Sequence, residues 1–206
     1  MPQKRSFIRP GSGHPVVDSL HAASALGNPL VFLCPQKAKT FADGYDDLVQ
    51  ALKHPRGTPY LLVDGLSGRA LLDDLGQQGE QIFPLFPEDT DADLLDAAPR
   101  LVACSDERVI LESFHSFWGK GIASIVFATA APDALVPHLK QNLYVEDPDG
   151  ELCILRFFDP RVLCMLAETL FDDQLGTIFG EVIDLFVFEN ALGELCQLSR
   201  LQKDVA

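Results

Sequence analysis

Two arginines and an aspartate stand inside an apolar run, CILRFFDPRVLCML, at residues 153–166. At that spacing Arg156, Asp159 and Arg161 have three possible uses: a reactive site, a docking surface, or the fixed corner between a strand and a helix. The local pattern favours the corner. Asp159 can cap a helix, and Pro160 fits the first helical position, where its missing N–H costs nothing. Val162, Leu163, Leu166 and Leu170 then form one apolar helix face. Strand alternation puts Arg156 and Phe158 on one side and Phe157 on the other, so Arg156 either reaches solvent or pairs with a carboxylate, of which Asp159 is nearest.

Other groups invite chemistry and fall short of its motifs. Ser67 lies in DGLSGR, a glycine-flanked turn between a strand and a helix, but a nucleophile elbow needs G-x-S-x-G and Arg69 fills its last position. A tight turn with Ser67 as cap is the plainer reading, and neither phosphate-cradling glycine motif occurs there. Asp89, Asp91 and Asp93 match the first three ligand positions of a calcium loop. Leu94 replaces its turn glycine and Arg100 its bidentate glutamate, so these carboxylates are expected to solvate a loop and favour the next helix N-terminus. His115 and Glu112 share a helix with no readable nucleophile beside them. The residues supply no catalytic assignment, and call for no metal and no cofactor.

The elements that must position these residues alternate. YLLVDG, IFPLF, RLVAC and GIASIVFATA read as strands apolar on both faces, each followed by a helical pattern, with Ser105 expected to cap the third helix. Four such alternations predict an α/β fold with a mixed sheet under covering helices. LYVE and ELCILRFF flank DPDG, a β-hairpin signal in which Asp147 and Gly150 shape the turn. Helices from about Pro160 to Leu170 and near DDQLGTIF follow, then a strand in EVIDLFVFE and a helical C-terminal part. Residues 1–57 form an N-terminal extension or small lobe, 58–190 the main domain and 191–206 a helical tail. In that tail Leu192, Leu195, Leu198 and Leu201 make an i, i+3 ladder: a partner surface if exposed, a core helix if docked.

Bulk properties restrict the partners. The chain has 206 residues, 47% of them hydrophobic, enough for a sizeable core. Thirty acidic against sixteen basic residues leave a net charge of −14, which repels phosphate backbones and anionic lipid, so nucleic acid and membrane are excluded as partners. The excess is uneven: residues 1–57 hold seven basic and four acidic side chains, and the remainder nine and twenty-six. No apolar run reaches the ~18 to 20 residues that span a bilayer, and the basic opening segment lacks the apolar core of an export signal, so a cytoplasmic location is expected. Five scattered cysteines without a C-x-x-C pair read as reduced, buried thiols, and no histidine neighbours one to suggest zinc.

From about Tyr60 to Glu189 the sequence resembles the conserved-domain family of type VI secretion effector chaperones, also called adaptor proteins, found in bacteria. The marks are YLLVDG, PLF before a short helix, GIASIVFATA leading into LVPHLKQNLYV, then DPDG and RFFDPRVL at this spacing, with DDQLGTIFGEVIDLFVFE as the ending. Residues 1–57 lie outside the resemblance. It implies a non-enzymatic protein that binds a cognate toxic effector and helps load it onto the VgrG spike. Arg156, Phe158, Arg161 and the leucine ladder are the candidate partner-binding residues, with Asp159, Pro160, Asp147 and Gly150 as structural corners. Two other classes stay open: a small α/β enzyme with its site at the strand carboxyl ends around Asp64, Ser67 and Cys104, and an immunity protein whose acidity neutralises a basic toxin.

Overall fold

The computed structural model describes residues 30–33, 40–53, 57–146, 149, 151–170 and 172–200. Period-two alternation divides the apolar residues of the central strands between two cores. In β2 (Thr58–Val63), Tyr60 and Leu62 face one core while Leu61 and Val63 face the other. β5 (Ala123–Ala128) and β8 (Ile183–Glu189) repeat the division, with Val126 and Phe186 on the first side and Ile125 and Val187 on the second. Around them stand β1 (Leu30–Leu33), β3 (Gln81–Pro84), β4 (Arg100–Ala103) and β9 (Leu195–Arg200), giving a seven-stranded sheet in the order β1-β9-β8-β5-β2-β4-β3.

Helices cover both faces. On the first lie α5 (Pro132–Gln141), α6 (Pro160–Thr169) and α7 (Asp172–Phe179), contributing Leu135, Leu139, Leu163, Leu166, Leu175 and Phe179. The second is covered by α1 (Phe41–Ala51), α2 (Arg69–Gln77) and α4 (Glu107–Phe117), through Leu48, Leu71, Leu75, Ile110, Phe114 and Phe117. Burial of each such leucine or phenylalanine is worth about 1.5–3 kcal/mol, so the three layers are held mainly by apolar contact. The short α3 (Ala92–Ala97) buries no residue fully and packs on the first core through half-buried Leu95. β1 and α1, both within the first 57 residues, are built into the same sheet and its second core.

The α/β class, the covering helices and the hairpin of β6 (Tyr144–Glu146) with β7 (Leu152–Ile154) agree with the sequence reading. Two expectations are corrected. Every pairing in the large sheet is antiparallel rather than mixed. Helical crossovers do join strands that run the same way, β2 to β3 and β4 to β5, but each skips one place, and an oppositely directed strand fills it.

The expected helical tail is strand β9, hydrogen-bonded between β8 and β1. Asn190 Oδ1 accepts from the N–H groups of Leu192 and Glu194 at 2.9 and 3.0 Å, and Gly193 takes a positive φ of 75°, so the chain reverses instead of coiling. Leu195 and Leu198 then enter opposite cores by alternation. Their i, i+3 spacing fitted either period. Asp147, Gly150 and Leu201 lie outside the described residues.

Candidate partner-binding site

β2 ends at Val63, and from Asp64 the chain must turn at once into α2. Asp64 Oδ1 accepts from the N–H groups of Leu66 and Ser67 at 3.0 and 3.3 Å, and the Ser67 hydroxyl donates to Oδ2 at 3.5 Å. The cap position of α2 is Gly68, without a side-chain bond, so Ser67 does not take the capping role expected of it. Gly65 is required because the Ala98 carbonyl occupies the space of a Cβ.

The second half of the site comes from the segment between β7 and α6. The strand stops at Ile154, before the expected limit, because Asp159 N donates to Arg156 O at 2.9 Å and folds residues 156–159 into a turn. Asp159 then caps α6 as expected, accepting from Arg161 N at 3.0 Å, with Pro160 in the first turn.

These turns bring four charges together. Arg156 Nη2 donates to Asp64 Oδ2 at 2.9 Å and, less closely, to Asp159 Oδ2 at 3.4 Å. Arg161 forks onto Asp159, Nε to Oδ1 at 2.9 Å and Nη2 to Oδ2 at 2.7 Å. Both carboxylates are buried, whereas the Arg156 and Arg161 side chains stay 50% and 63% exposed. Burial alone would raise the Asp159 carboxyl. The Arg161 hydrogen bonds, with the charges of Arg161 and Arg156, outweigh it and hold the group below the usual carboxylate range. The result is a pair of permanently charged forks, braced from beneath and open to water above.

Aromatic and apolar side chains surround the pair. The Arg156 guanidinium lies 5.6 Å from the ring centroid of Phe158, itself buried and so a support, not a contact residue. Leu66 is 72% exposed on the turn that Asp64 holds, and Met165, 53% exposed, follows Arg161 by one turn of α6. Arg161 runs beside Gly121, whose positive φ of 61° belongs to the turn leading into β5. In that turn Gly119 N donates to Glu189 Oε2 at 2.7 Å, which ties in the end of β8. Exposed Leu192, on the β8–β9 turn, therefore lies at the same sheet end, while Leu195 and Leu198 are in the core and unavailable to a partner in this fold. Sequence reasoning named Arg156 and Arg161 but missed Asp64 as the main anchor, Leu66 and Met165. The Asp-Gly closing β2 was a turn signal, and nothing in it revealed a partner 92 residues away.

The remaining candidates find structural partners. Asp64 and Cys104 follow β2 and β4, which are antiparallel, so they sit at opposite ends of the sheet, roughly 17 Å apart, and make no common site with Ser67. The Cys104 thiol is pushed up to about 12, by burial first and then by Glu80. Asp91 caps α3, accepting from Asp93 N at 3.0 Å, and Arg100 donates to the carbonyls of Ala98 and Leu95. Ser105 bonds Glu80 through its N–H and hydroxyl, and it is Asp106 that caps α4. His115 stacks on Phe41 at 4.4 Å, and Glu112 pairs with Arg108. Among the described residues no group of three His, Cys, Asp or Glu is placed to hold a metal ion, and no helix is long and apolar enough to cross a membrane.

Residues 59–177 match the family model described as "Domain of unknown function (DUF4123)". No curated protein and no solved structure matches the chain.

Proposed function

The chain belongs to the DUF4123 family, and on that premise we propose that it is a non-catalytic adaptor that binds a cognate type VI secretion effector in the producing cell and helps load it onto the VgrG spike. The observation that carries the reading is the braced arginine pair. Arg156 and Arg161 keep half or more of their side chains in water, although each already has a buried carboxylate partner. Flanked by exposed Leu66 and Met165, they combine arginine forks with apolar contact, the composition of interface centres. Holding the forks from below lowers the entropy lost when a partner's carboxylate binds above them.

Co-expression with its cognate toxic effector should yield a stable complex. Arg156→Ala should weaken it about 30-fold, the effect of losing an interface hot spot of ~2 kcal/mol, while costing the free protein no more than about 1 kcal/mol of stability, because the arginine is half exposed. A monodisperse protein that never co-purifies with that toxin would sink the proposal. If the complex forms and the chain also protects a cell making the toxin, the protein neutralises instead of delivering.

A further inference from the structure

The β6–β7 hairpin forms a sheet of its own, and apart from half-buried Tyr144 its apolar residues face water. Of the seven large hydrophobic side chains exposed among the described residues, three belong to it: Leu152 at 67%, Ile154 at 47% and Val145 at 40%. All three β7 residues are exposed. Edge strands ordinarily carry lysine, proline or a bulge that discourages further pairing. The edge strand β3 of the main sheet ends in Pro84, whereas β7 reads Leu-Cys-Ile.

The hydrogen-bond register shows what this edge offers. Leu155 N donates to Leu143 O at 2.8 Å, so residues 143 and 155 form a hydrogen-bonded pair. Antiparallel alternation makes Val145 and Cys153 the next such pair, and Tyr144 with Ile154 a non-bonded one. The N–H and C=O groups of Leu152 and Ile154 therefore point away from β6, to an edge that no described strand covers. Leu152 and Ile154 also share one face, and Cys153 lies on the other with Glu151 and its cross-strand partner Val145, all exposed, so Cys153 is not the buried thiol expected of it.

The geometry points to β7 as a docking edge that takes an extended segment of another protein as a third strand. The occupant's chemistry follows from the two faces and the charge. Alternate residues should be apolar, to lie beside Leu152 and Ile154, and those between should be basic, because residues 146–151, from the last residue of β6 to the one before β7, read EDPDGE, with four acids in six residues. A second copy of this chain would bring the same acids and a charge of −14 against itself. The proposal holds whether or not the partner is a secreted effector, so it can fail while the adaptor reading stands, and the reverse.

The test uses the full chain and three end-capped synthetic peptides: Val-Lys-Val-Lys-Val-Lys-Val, its glutamate counterpart, and the lysine peptide N-methylated along one edge. Binding is followed by fluorescence anisotropy, and amide exchange by nitrogen-edited NMR. The lysine peptide should bind at least 10-fold more tightly than either control, slow exchange at the Leu152 and Ile154 amides, and lose its affinity in Ile154→Lys and in Leu152→Lys. Absence of binding, equal binding by the N-methylated peptide, or protection elsewhere in the chain overturns the proposal. So does a dimer in sedimentation that Ile154→Lys abolishes, since that assigns the edge to a second copy.

Discussion

Asp159→Ala tests the corner most directly, because two separable effects meet at one carboxylate. Asp159 is 2% exposed and accepts from Arg161 N, Nε and Nη2 at 3.0, 2.9 and 2.7 Å, with Arg156 Nη2 farther off at 3.4 Å. Loss of the helix cap costs about 1 kcal/mol. Hydrogen bonds to charged groups are worth about 1.5–3 kcal/mol each when buried. Here the arginines are 63% and 50% exposed and can rehydrate, so the charged part shrinks to about 1–2 kcal/mol in total. Alanine should therefore cost about 2–3 kcal/mol, and asparagine, which caps equally well, about 1–2 kcal/mol. Urea unfolding followed by the single tryptophan, Trp118, which packs on Phe114 in the second core, gives both numbers. The pH dependence supplies the sign. A depressed carboxyl contributes stability that is complete above its unfolded value of about 4 and disappears as pH falls through the folded one. The gap between wild type and Asp159→Asn should close in strong acid, while the gap between asparagine and alanine persists. An asparagine variant as stable as wild type at pH 7, or a gap indifferent to pH, refutes the reasoning.

Leu198→Ala should cost about 2–5 kcal/mol by leaving a cavity in the first core, whereas Leu192→Ala, at an exposed turn, should change stability by less than about 0.5 kcal/mol; equal effects in denaturant titrations would restore the helical ladder. Glu189 is raised by burial, only partly offset by the Gly119 N–H. A raised carboxyl favours the fold most below its unfolded value and loses that contribution as pH rises through the folded one, so Glu189→Gln should melt higher than wild type at pH 7 and equal it near pH 4. A variant that melts lower at pH 7 would show that the charged form is the stabilising one.

Much of the fold was legible because its signals were local. Asp159 and Pro160 announced the start of α6, and DPDG announced the hairpin, through short-range geometry that needs no tertiary information. Strands apolar on both faces foretold a sheet covered twice. Strand direction was not legible, since a helical crossover that skips one place leaves the same βα pattern as one that does not. The C-terminal leucines were ambiguous for a related reason: Leu195 and Leu198 suit a helix face and also opposite sides of a strand, and the Asn190–Gly193 turn decided between them. At the site, Arg156 and Arg161 stood out as charges in apolar company. Their anchor Asp64 could be found only once β2 and the β7–α6 corner had been placed side by side.

The strand order carries a consequence for anyone trimming this protein. β1, β8 and β9 occupy three successive places beside β5, yet all three lie outside the matched stretch of residues 59–177. Cutting at those limits would uncover the flank of β5, a strand buried along its whole length, and would strip Phe186, Phe188 and Leu198 from one core and Leu185 and Val187 from the other. The fragment would then present a long greasy border primed to clump with its own kind. The stretch that defines the family is thus not a portable module in this chain, and its flanks finish the sheet from one side.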